Sequence, residues 1–274
     1  MRKIKKKLFT EEDKSNILNL YNKERFSIHK IGEVYNVSDS TIQKILKSLG
    51  YSPRTNREQA LKYSFNEKYF DNIDSENKAY WLGYICADGT IYKKDTQNSG
   101  TLKIETKLDD KELVEKFRTD IGSNHNIKIY GNKYFPGYKS ARLVLKSNHL
   151  IETLDKYGIS ACKSLTISFP SLMEKNIYCN AFIRGYFDGD GSICLYKTGI
   201  FDVKIAGTKQ FLEKIREITN IKARISLPKS KIYELRISSN LEREKFLSYI
   251  YKDSTIYLNR KYKRYQQFLK KYNS

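Results

Sequence analysis

The sequence predicts an α+β protein in which a small all-helical domain precedes two copies of one mixed unit. Three observations lead to this prediction: short amphipathic helical stretches within residues 8–52, a ten-residue motif that recurs 102 positions later, and alternating apolar and polar segments after each copy. Each copy runs helix, hairpin, helix, hairpin, helix. We therefore expect two half-domains related by a pseudo-twofold axis, each with an antiparallel sheet buried on one face.

Charge and composition restrict the class of protein. The 274 residues include 51 Lys and Arg against 31 Asp and Glu, and the net charge of +20 predicts a polyanionic partner. No apolar run can span a bilayer, and the basic start lacks the apolar stretch of a signal peptide. The four cysteines and three histidines show no metal-site spacing. We expect a protein of a reducing cytoplasm (bacterial, phage-infected or organellar), neither secreted nor bound to a membrane.

The N-terminal residues predict three helices and one short turn. Thr10 with Asp13 three positions later resembles a capping box, and Ser27 is suited to cap the second helix. Val34 is expected to point inward on that second helix, and Gly50 is expected to end the third helix. The predicted helices are Glu11–Lys23, Ile28–Tyr35 and Asp39–Leu49.

The last two of these helices resemble the helix-turn-helix of resolvase-like and transposase-like DNA-binding domains. Residues 1–64 hold 14 Lys and Arg against 7 Asp and Glu, which is consistent with DNA as the partner. In such domains the helix after the turn enters the major groove. The side chains left for DNA are Ser40, Thr41, Gln43, Lys44 and Lys47. A small bundle that mediates protein contacts is the alternative.

The repeated motif organises the rest of the chain. Tyr80–Gly89 matches Phe182–Gly191 position by position. After the first copy we predict Thr90–Tyr92, Thr101–Thr106, Asn126–Tyr130 and Ala141–Leu145 as strands, with helices Asp110–Ile121 and Asn148–Tyr157. After the second copy we predict Ser192–Tyr196, Phe201–Ala206, Ala223–Leu227 and Tyr233–Ile237 as strands, with helices Lys209–Thr219 and Leu241–Tyr251. The predicted domains are 1–52, a linker with some order over 53–75, and half-domains 76–175 and 176–274.

Small residues recur four positions apart on each motif helix. They are Gly83 and Ala87 in the first copy, and Gly185 and Gly189 in the second. Small residues at this spacing allow two helix backbones to approach closely. The natural partner of each motif helix is its own repeat copy, so both helices are predicted to pair and to end at the same level.

Two acids occupy that level. Asp88 and Asp190 each end a motif helix, and each is followed by a glycine, Gly89 or Gly191, suited to a left-handed position. The helix dipole disfavours an acid at this end, and two neighbouring acids repel each other. A divalent cation would neutralise both, which suggests metal-assisted phosphodiester hydrolysis. The alternative is that each Asp only caps its own turn.

These motifs resemble those of the LAGLIDADG homing endonucleases in their two-motif, single-chain form, and the basic segment Tyr257–Arg264 is similar to one found there. The resemblance covers about residues 76–274. It implies two sheets that form a saddle over double-stranded DNA, and cleavage of both strands in intron or intein homing. It also implies Mg²⁺ or Mn²⁺ held by Asp88 and Asp190, with backbone carbonyls around Ala87 and Gly189.

The resemblance implies further site residues. One basic residue per half is expected near the attacking water, Lys163 in the first half and Lys261 in the second, although both can equally be surface lysines or phosphate contacts. The strand side chains expected to contact DNA are Lys103, Glu105, Lys128, Tyr130, Arg142, Lys204, Arg224 and Arg236. Arg260 and Lys263 of the basic segment are expected to join them.

The two motifs depart from each other and from the family at two places. The sixth motif position is Cys86 in the first copy and Asp188 in the second. Arg184 replaces a small residue, and its long stem is expected to leave the helix seam.

Two other functions stay open. One is a non-catalytic transcriptional regulator that binds DNA, and the other is an RNA-splicing maturase that binds structured intron RNA. The retention of both motif acids favours the enzyme over the regulator. Because one chain supplies both motifs, we expect a monomer.

Overall fold

The computed structural model describes residues 8–24, 26–52, 54, 63–93, 100–131, 135, 137–161, 166–227 and 232–272. They form two compact units that divide between residues 62 and 63, and each unit has a hydrophobic core of its own. The predicted α+β class is confirmed, because the second unit contains two four-stranded antiparallel sheets with helices. Within these described ranges, no helix is long and apolar enough to cross a membrane.

The first unit is a bundle of three helices. They are α1 (Glu11–Asn22), α2 (Ile28–Tyr35) and α3 (Asp39–Ser48). Thr10 and Asp13 form the expected capping box, and the Ser27 side chain caps α2. Gly50 has a φ of +80°, which is the left-handed conformation expected where α3 ends.

The expected inward orientation of Val34 is wrong, because this side chain is 59% exposed. The inward stripe of α2 instead follows Ile28, Ile31, Gly32 and Tyr35, which have the i, i+3, i+4, i+7 spacing of one helix face. A Cβ on Gly32 would lie 2.7 Å from the Val37 carbonyl oxygen, so this glycine lets the turn pack against the helix. Val34 lies two positions beyond Gly32, outside that stripe.

The predicted linker over 53–75 divides between the two units. Arg54 belongs to the first unit, where its Nη2 donates to the carbonyls of Tyr21 (3.0 Å) and Phe26 (2.7 Å). Residues 63–75 belong to the second unit, where Phe70 is fully buried and Tyr69 nearly so. Aromatic side chains within a polar stretch supply this packing, and the many polar residues around them concealed it.

The second unit repeats one sheet topology. The first sheet has the strand order β1-β2-β4-β3 and the second has β5-β6-β8-β7, all antiparallel. The strands of the first sheet are β1 (Thr90–Tyr92), β2 (Thr101–Lys107), β3 (Lys128–Gly131) and β4 (Lys139–Lys146). Those of the second are β5 (Gly191–Leu195), β6 (Phe201–Gly207), β7 (Arg224–Ser226) and β8 (Tyr233–Ile237). The equal order in both sheets is the structural counterpart of the sequence repeat.

Helices cover one face of each sheet and join the two halves. They are α4 (Glu76–Asp88), α5 (Lys111–Asp120), α6 (Asn148–Lys156), α7 (Ser171–Glu174), α8 (Cys179–Asp190), α9 (Lys209–Thr219), α10 (Asn240–Tyr251) and α11 (Asn259–Tyr272). Sequence analysis did not predict α7 or α11. The basic segment proves to be the start of α11, whose Lys261, Tyr265 and Phe268 are buried.

The two motif helices α4 and α8 pack with their backbones in close approach. A Cβ placed on Gly83 would lie 2.0 Å from the Phe182 carbonyl oxygen, and one on Gly185 would lie 1.9 Å from that of Tyr80. These two contacts are equivalent under the sequence repeat. The pseudo-twofold axis therefore runs between α4 and α8, and no side chain larger than hydrogen fits at either glycine.

The glycines that follow the two motif acids are not left-handed, contrary to expectation. Gly89 has a φ of −68° and Gly191 a φ of −97°. A Cβ on Gly89 would lie 2.6 Å from the Ile85 carbonyl oxygen, and one on Gly191 would lie 2.2 Å from Cδ2 of Phe187. Close packing against the preceding turn, rather than backbone conformation, requires glycine here.

We expect Gly83→Ala to lower the free energy of unfolding by about 3 kcal/mol, because a methyl group must push two rigid helix backbones apart. Chemical denaturation followed by circular dichroism measures this loss. The control is Gly131→Ala at the end of β3, where an added Cβ meets no atom within 4 Å. Equal stability of the two variants would contradict the close approach of α4 and α8.

Candidate active site

The two motif helices end at one cleft of about 610 Å³. Asp88 and Asp190 both line it, together with Cys86, Ala87 and Tyr186. A Cβ on Gly189, the residue before Asp190, would lie 3.4 Å from the Asp88 carboxyl carbon. The structure thus brings the two predicted acids to the same level of the helix seam.

A tyrosine accompanies each of these acids. Burial raises the pKa of Tyr84 well above its usual range, and the charge of Asp88 and a hydrogen bond to it raise it further. Burial also raises the pKa of Tyr186, with a further contribution from the charge of Asp190. Both phenols stay protonated, and each has one hydrogen to donate. Tyr84 is suited to donate it to Asp88, whereas Tyr186 donates it to the Ala206 carbonyl (3.0 Å). Sequence analysis missed both tyrosines, although they occupy one motif position.

The donor set of the cleft suits a hard divalent cation. Carboxylate oxygens are the ligands that Mg²⁺ and Mn²⁺ prefer, and helix ends present carbonyl oxygens beside them. Across the described part of the chain, no group of three or more His, Cys, Asp or Glu side chains is arranged to hold a metal. An ion between Asp88 and Asp190 would therefore complete its shell with backbone carbonyls, water or substrate phosphates.

Lys261 caps the end of the second motif helix. Its Nζ donates to the carbonyls of Phe187 (2.6 Å), Asp188 (2.8 Å) and Gly191 (2.5 Å), and the residue is 3% exposed. All three ammonium hydrogens therefore bind the helix end that carries Asp190. Lys261 thus positions the helix end that carries Asp190. Its predicted catalytic role stays a prediction. Its predicted counterpart Lys163 lies outside the described residues.

The electrostatics of Lys261 couple it to the cleft. Burial lowers the pKa of its ammonium group to about 8, and the charge of Arg260 lowers it too. The negative charges of Asp188, Asp88 and Asp190 oppose this effect. The ammonium group is thus within electrostatic reach of both motif acids while its hydrogens bind backbone carbonyls.

The sixth motif position of the second copy has a structural role. Asp188 is buried and accepts hydrogen bonds from Tyr80 (2.9 Å), Tyr251 (2.6 Å) and the Leu258 backbone amide (2.7 Å). Burial raises the pKa of its carboxyl group, and the charge of Lys261 lowers it. Because Tyr80 belongs to α4 and Leu258 precedes α11, this carboxylate ties both to α8.

Arg184 leaves the helix seam as expected, but it stays buried with 1% exposure. Its Nε donates to the Ile256 carbonyl (2.8 Å), and its Nη1 donates to the Ile250 carbonyl (2.6 Å). Its Nη2 forms an ion pair with Glu76 at the start of α4. Arg184 therefore connects the two halves through Glu76 and does not extend into solvent.

The predicted DNA-contacting strand residues share the open faces of the two sheets. Along β2, the buried side chains Leu102, Ile104 and Thr106 alternate with partly exposed ones, and the other strands continue this open face. On these faces lie Lys103, Glu105, Lys128, Tyr130, Arg142, Lys204, Arg224 and Arg236.

The remaining predicted contacts lie on helices. Arg260, at the start of α11, pairs with Asp110 of the first half (2.9 Å). Both residues line a groove that Lys263 also lines. On α3 of the first unit, Ser40, Gln43, Lys44 and Lys47 are exposed and Thr41 is partly buried.

A family model matches part of the second half. The model of the LAGLIDADG-like domain matches residues 178–251, which run from the start of α8 to the end of α10. An uncharacterized protein of Methanocaldococcus jannaschii is 26% identical over 191 residues, which are 64% of this chain and 66% of that protein. The replication factor C small subunit of the same organism is 29% identical over 132 residues, 47% of this chain and 6% of that protein. The chain thus spans just under two thirds of one relative and a small part of the other.

A solved structure shares the fold. The homing endonuclease I-WcaI, solved bound to its DNA recognition sequence, matches with a TM-score of 0.54 and 17% identity, over 80% of this chain and 96% of that one. The predicted resemblance is therefore confirmed. Residues 178–251 match the LAGLIDADG-like domain, and the chain shares its fold with I-WcaI.

We expect the free energy of unfolding of the wild type to rise by about 2 kcal/mol between about pH 8 and pH 10, relative to Lys261→Met. In this range the unfolded chain keeps the Lys261 proton that the folded chain releases, because the folded pKa is the lower one. Denaturation at several pH values measures the difference, and the buried tyrosines common to both proteins cancel. Parallel pH profiles would contradict the lowered pKa.

Proposed function

We propose that this protein is a site-specific, metal-dependent endonuclease that cuts both strands of double-stranded DNA. The observation that carries the proposal is the meeting of Asp88 and Asp190 in one cleft, at the ends of helices related by the internal repeat. A symmetric pair of acids suits a substrate that presents one phosphodiester on each of two strands. The fold shared with I-WcaI, a DNA-bound homing endonuclease, supports the same function.

The proposed ligands of Mg²⁺ or Mn²⁺ are the carboxylates of Asp88 and Asp190, with backbone carbonyls near Ala87 and Gly189. An ion held there supplies Lewis-acid chemistry for phosphodiester hydrolysis. Like-charge repulsion between the two carboxylates in this seam is relieved by such a cation.

Other residues of the chain hold this arrangement. Tyr84 orients the Asp88 carboxylate through a hydrogen bond, and the Tyr186 hydroxyl binds the Ala206 carbonyl at the wall of the cleft. Lys261 stabilises the helix end before β5, and its charge lowers the repulsion between the acids. Lys163 is proposed as the basic residue of the first half.

Positive charge supports DNA as the substrate. The net charge of +20 favours a phosphate backbone, and lysines and arginines recur on the open faces of both sheets. We propose that these faces lie in the major groove and that Arg260 and Lys263 contact phosphates. Because one chain carries both acids, the proposed active form is a monomer.

The first unit is proposed as a second DNA-binding module. Its α2 and α3 are joined by a short turn, and α3 exposes Ser40, Gln43, Lys44 and Lys47, which suits a recognition helix in the major groove. Tethering such a module to the sheets raises affinity through effective concentration.

We expect the wild type with Mg²⁺ to cut a library of host or randomised DNA at defined sites, and Asp88→Asn with Asp190→Asn to abolish cutting while binding persists. Neutral amides keep the shape of the cleft but weaken cation binding. The matched control, Asp155→Asn, changes an exposed acid at the end of α6 and should cut normally. Sequencing of the cut ends identifies the site.

Four further results are informative. Loss of cutting after chelation, with recovery on addition of Mn²⁺, supports the metal requirement. Cutting that survives the double substitution contradicts the roles of the two acids. Tight, salt-sensitive DNA binding without cutting by any variant contradicts the nuclease and favours a regulator, whereas preferential binding of structured intron RNA favours a maturase.

We expect Lys44→Ala with Lys47→Ala to weaken binding to the identified site by at least about tenfold and to flatten the salt dependence, since two phosphate or base contacts are lost. Fluorescence anisotropy at several salt concentrations measures both effects. Lys14→Ala with Lys23→Ala removes equal charge from α1 and its end and is the control. Equal losses in the two pairs would contradict α3 as the recognition helix.

A further inference from the structure

An arginine on the open face of the first sheet is held by two neighbouring side chains. Arg142 of β4 lies opposite Glu105 of β2, and its Nε and Nη2 donate to the two carboxylate oxygens of Glu105 at 3.1 Å and 3.0 Å. Its guanidinium carbon lies 4.0 Å from the centre of the Tyr130 ring. A bidentate ion pair on one side and an aromatic ring against the guanidinium fix both its position and its plane.

Further contacts keep Glu105 ionised and therefore paired with this arginine. Ser140 donates to it at 2.6 Å, and Lys103 lies 3.2 Å away. Partial burial raises its pKa, but the hydrogen bonds from Arg142, Ser140 and Lys103 outweigh burial and lower the pKa to about 2. The carboxylate is therefore charged throughout the physiological pH range, and the pair persists.

The ion pair leaves one edge of the guanidinium group for a ligand. A guanidinium group has two edges with parallel N–H groups, one formed by Nε and Nη2 and the other by Nη1 and Nη2. Glu105 takes the first edge, so the second faces away from it, on a side chain that is 28% exposed. Two parallel donors match the O6 and N7 acceptors that guanine presents in the major groove.

One arginine on the open face of the second sheet is not held in this way. Arg236 of β8 lies 3.6 Å from Asp202 and 3.5 Å from Glu234, with contact to both acids and a fixed pair with neither. Its side chain is 48% exposed, against 28% for Arg142. The sheets therefore differ in how firmly they present an arginine to DNA.

We propose that Arg142 reads a guanine in the half-site under the first sheet, and that Glu105 and Tyr130 are positioning residues that aim its free edge. The inference rests on the proposed DNA-binding function and adds to it one base of the recognition sequence. Glu105 itself then makes no base contact, because its two oxygens already accept from Arg142, Ser140 and Lys103. Pre-organisation of the fork lowers the conformational entropy lost on binding.

The test is selection of binding sites from a random double-stranded library by the full-length chain with Ca²⁺, followed by sequencing. We compare the wild type with Arg142→Ala, Glu105→Gln and the matched control Arg236→Ala. The proposal expects one guanine position whose preference falls at least about fivefold in Arg142→Ala and by a smaller factor in Glu105→Gln. Arg236→Ala should keep the full preference for that guanine. Thermal melting verifies that each variant is folded.

The possible results separate this inference from the function on which it rests. If every guanine preference of the wild type survives in Arg142→Ala, guanine reading is overturned while DNA binding stands. If Glu105→Gln keeps the full preference that Arg142→Ala loses, the positioning role of Glu105 is overturned. If the wild type enriches no sequence at all, both the DNA-binding function and the guanine contact are overturned.

Discussion

The contact between the backbones of α4 and α8 is the constraint on which the rest of the structure depends. Gly83 and Gly185 bring each helix against a carbonyl oxygen of the other, at positions related by the repeat. This approach sets the distance between the two sheets and brings the two motif acids to one level. A residue with a side chain at either glycine would separate the halves and, with them, the acids.

The repeat is symmetric in topology but not in its polar interior. Each motif acid has a tyrosine four residues earlier, and the charge of each acid raises the pKa of its tyrosine. Behind the second motif, however, Asp188 and Lys261 form a buried network, whereas Cys86 fills the position equivalent to Asp188. The two acids thus occupy equivalent motif positions, but the residues packed behind them differ, because α11 of the second half supplies Lys261.

Sequence analysis predicted the parts of the fold that follow from local periodicity. The alternation along β2 and the cap at Thr10 depend on neighbouring residues, so strands and helices were identified with small errors at their ends. It failed where the reason lies in distant contacts. Nothing local distinguishes Gly89, which is required by packing against Ile85, from a left-handed cap, and nothing local shows that Phe70 lies in a core.

The candidate site was predictable to a similar degree. The repeat pointed to Asp88 and Asp190, because two identical acid positions in one chain are a stronger signal than either alone. The role of Lys261 could not be seen, since its three carbonyl partners lie some seventy positions earlier in the sequence.

The ion pair between the buried Arg184 and the partly exposed Glu76 limits how far the halves are interchangeable. Arg184 belongs to the second half and Glu76 to the first, and Asp188 likewise depends on the hydroxyl of Tyr80 across the seam. A chimera that joined this second half to a foreign first half would bury an unpaired guanidinium group and a carboxylate that lacks one donor. A first half that has an acid and a hydroxyl at these two positions keeps both contacts. These contacts therefore make the pairing of the two halves specific.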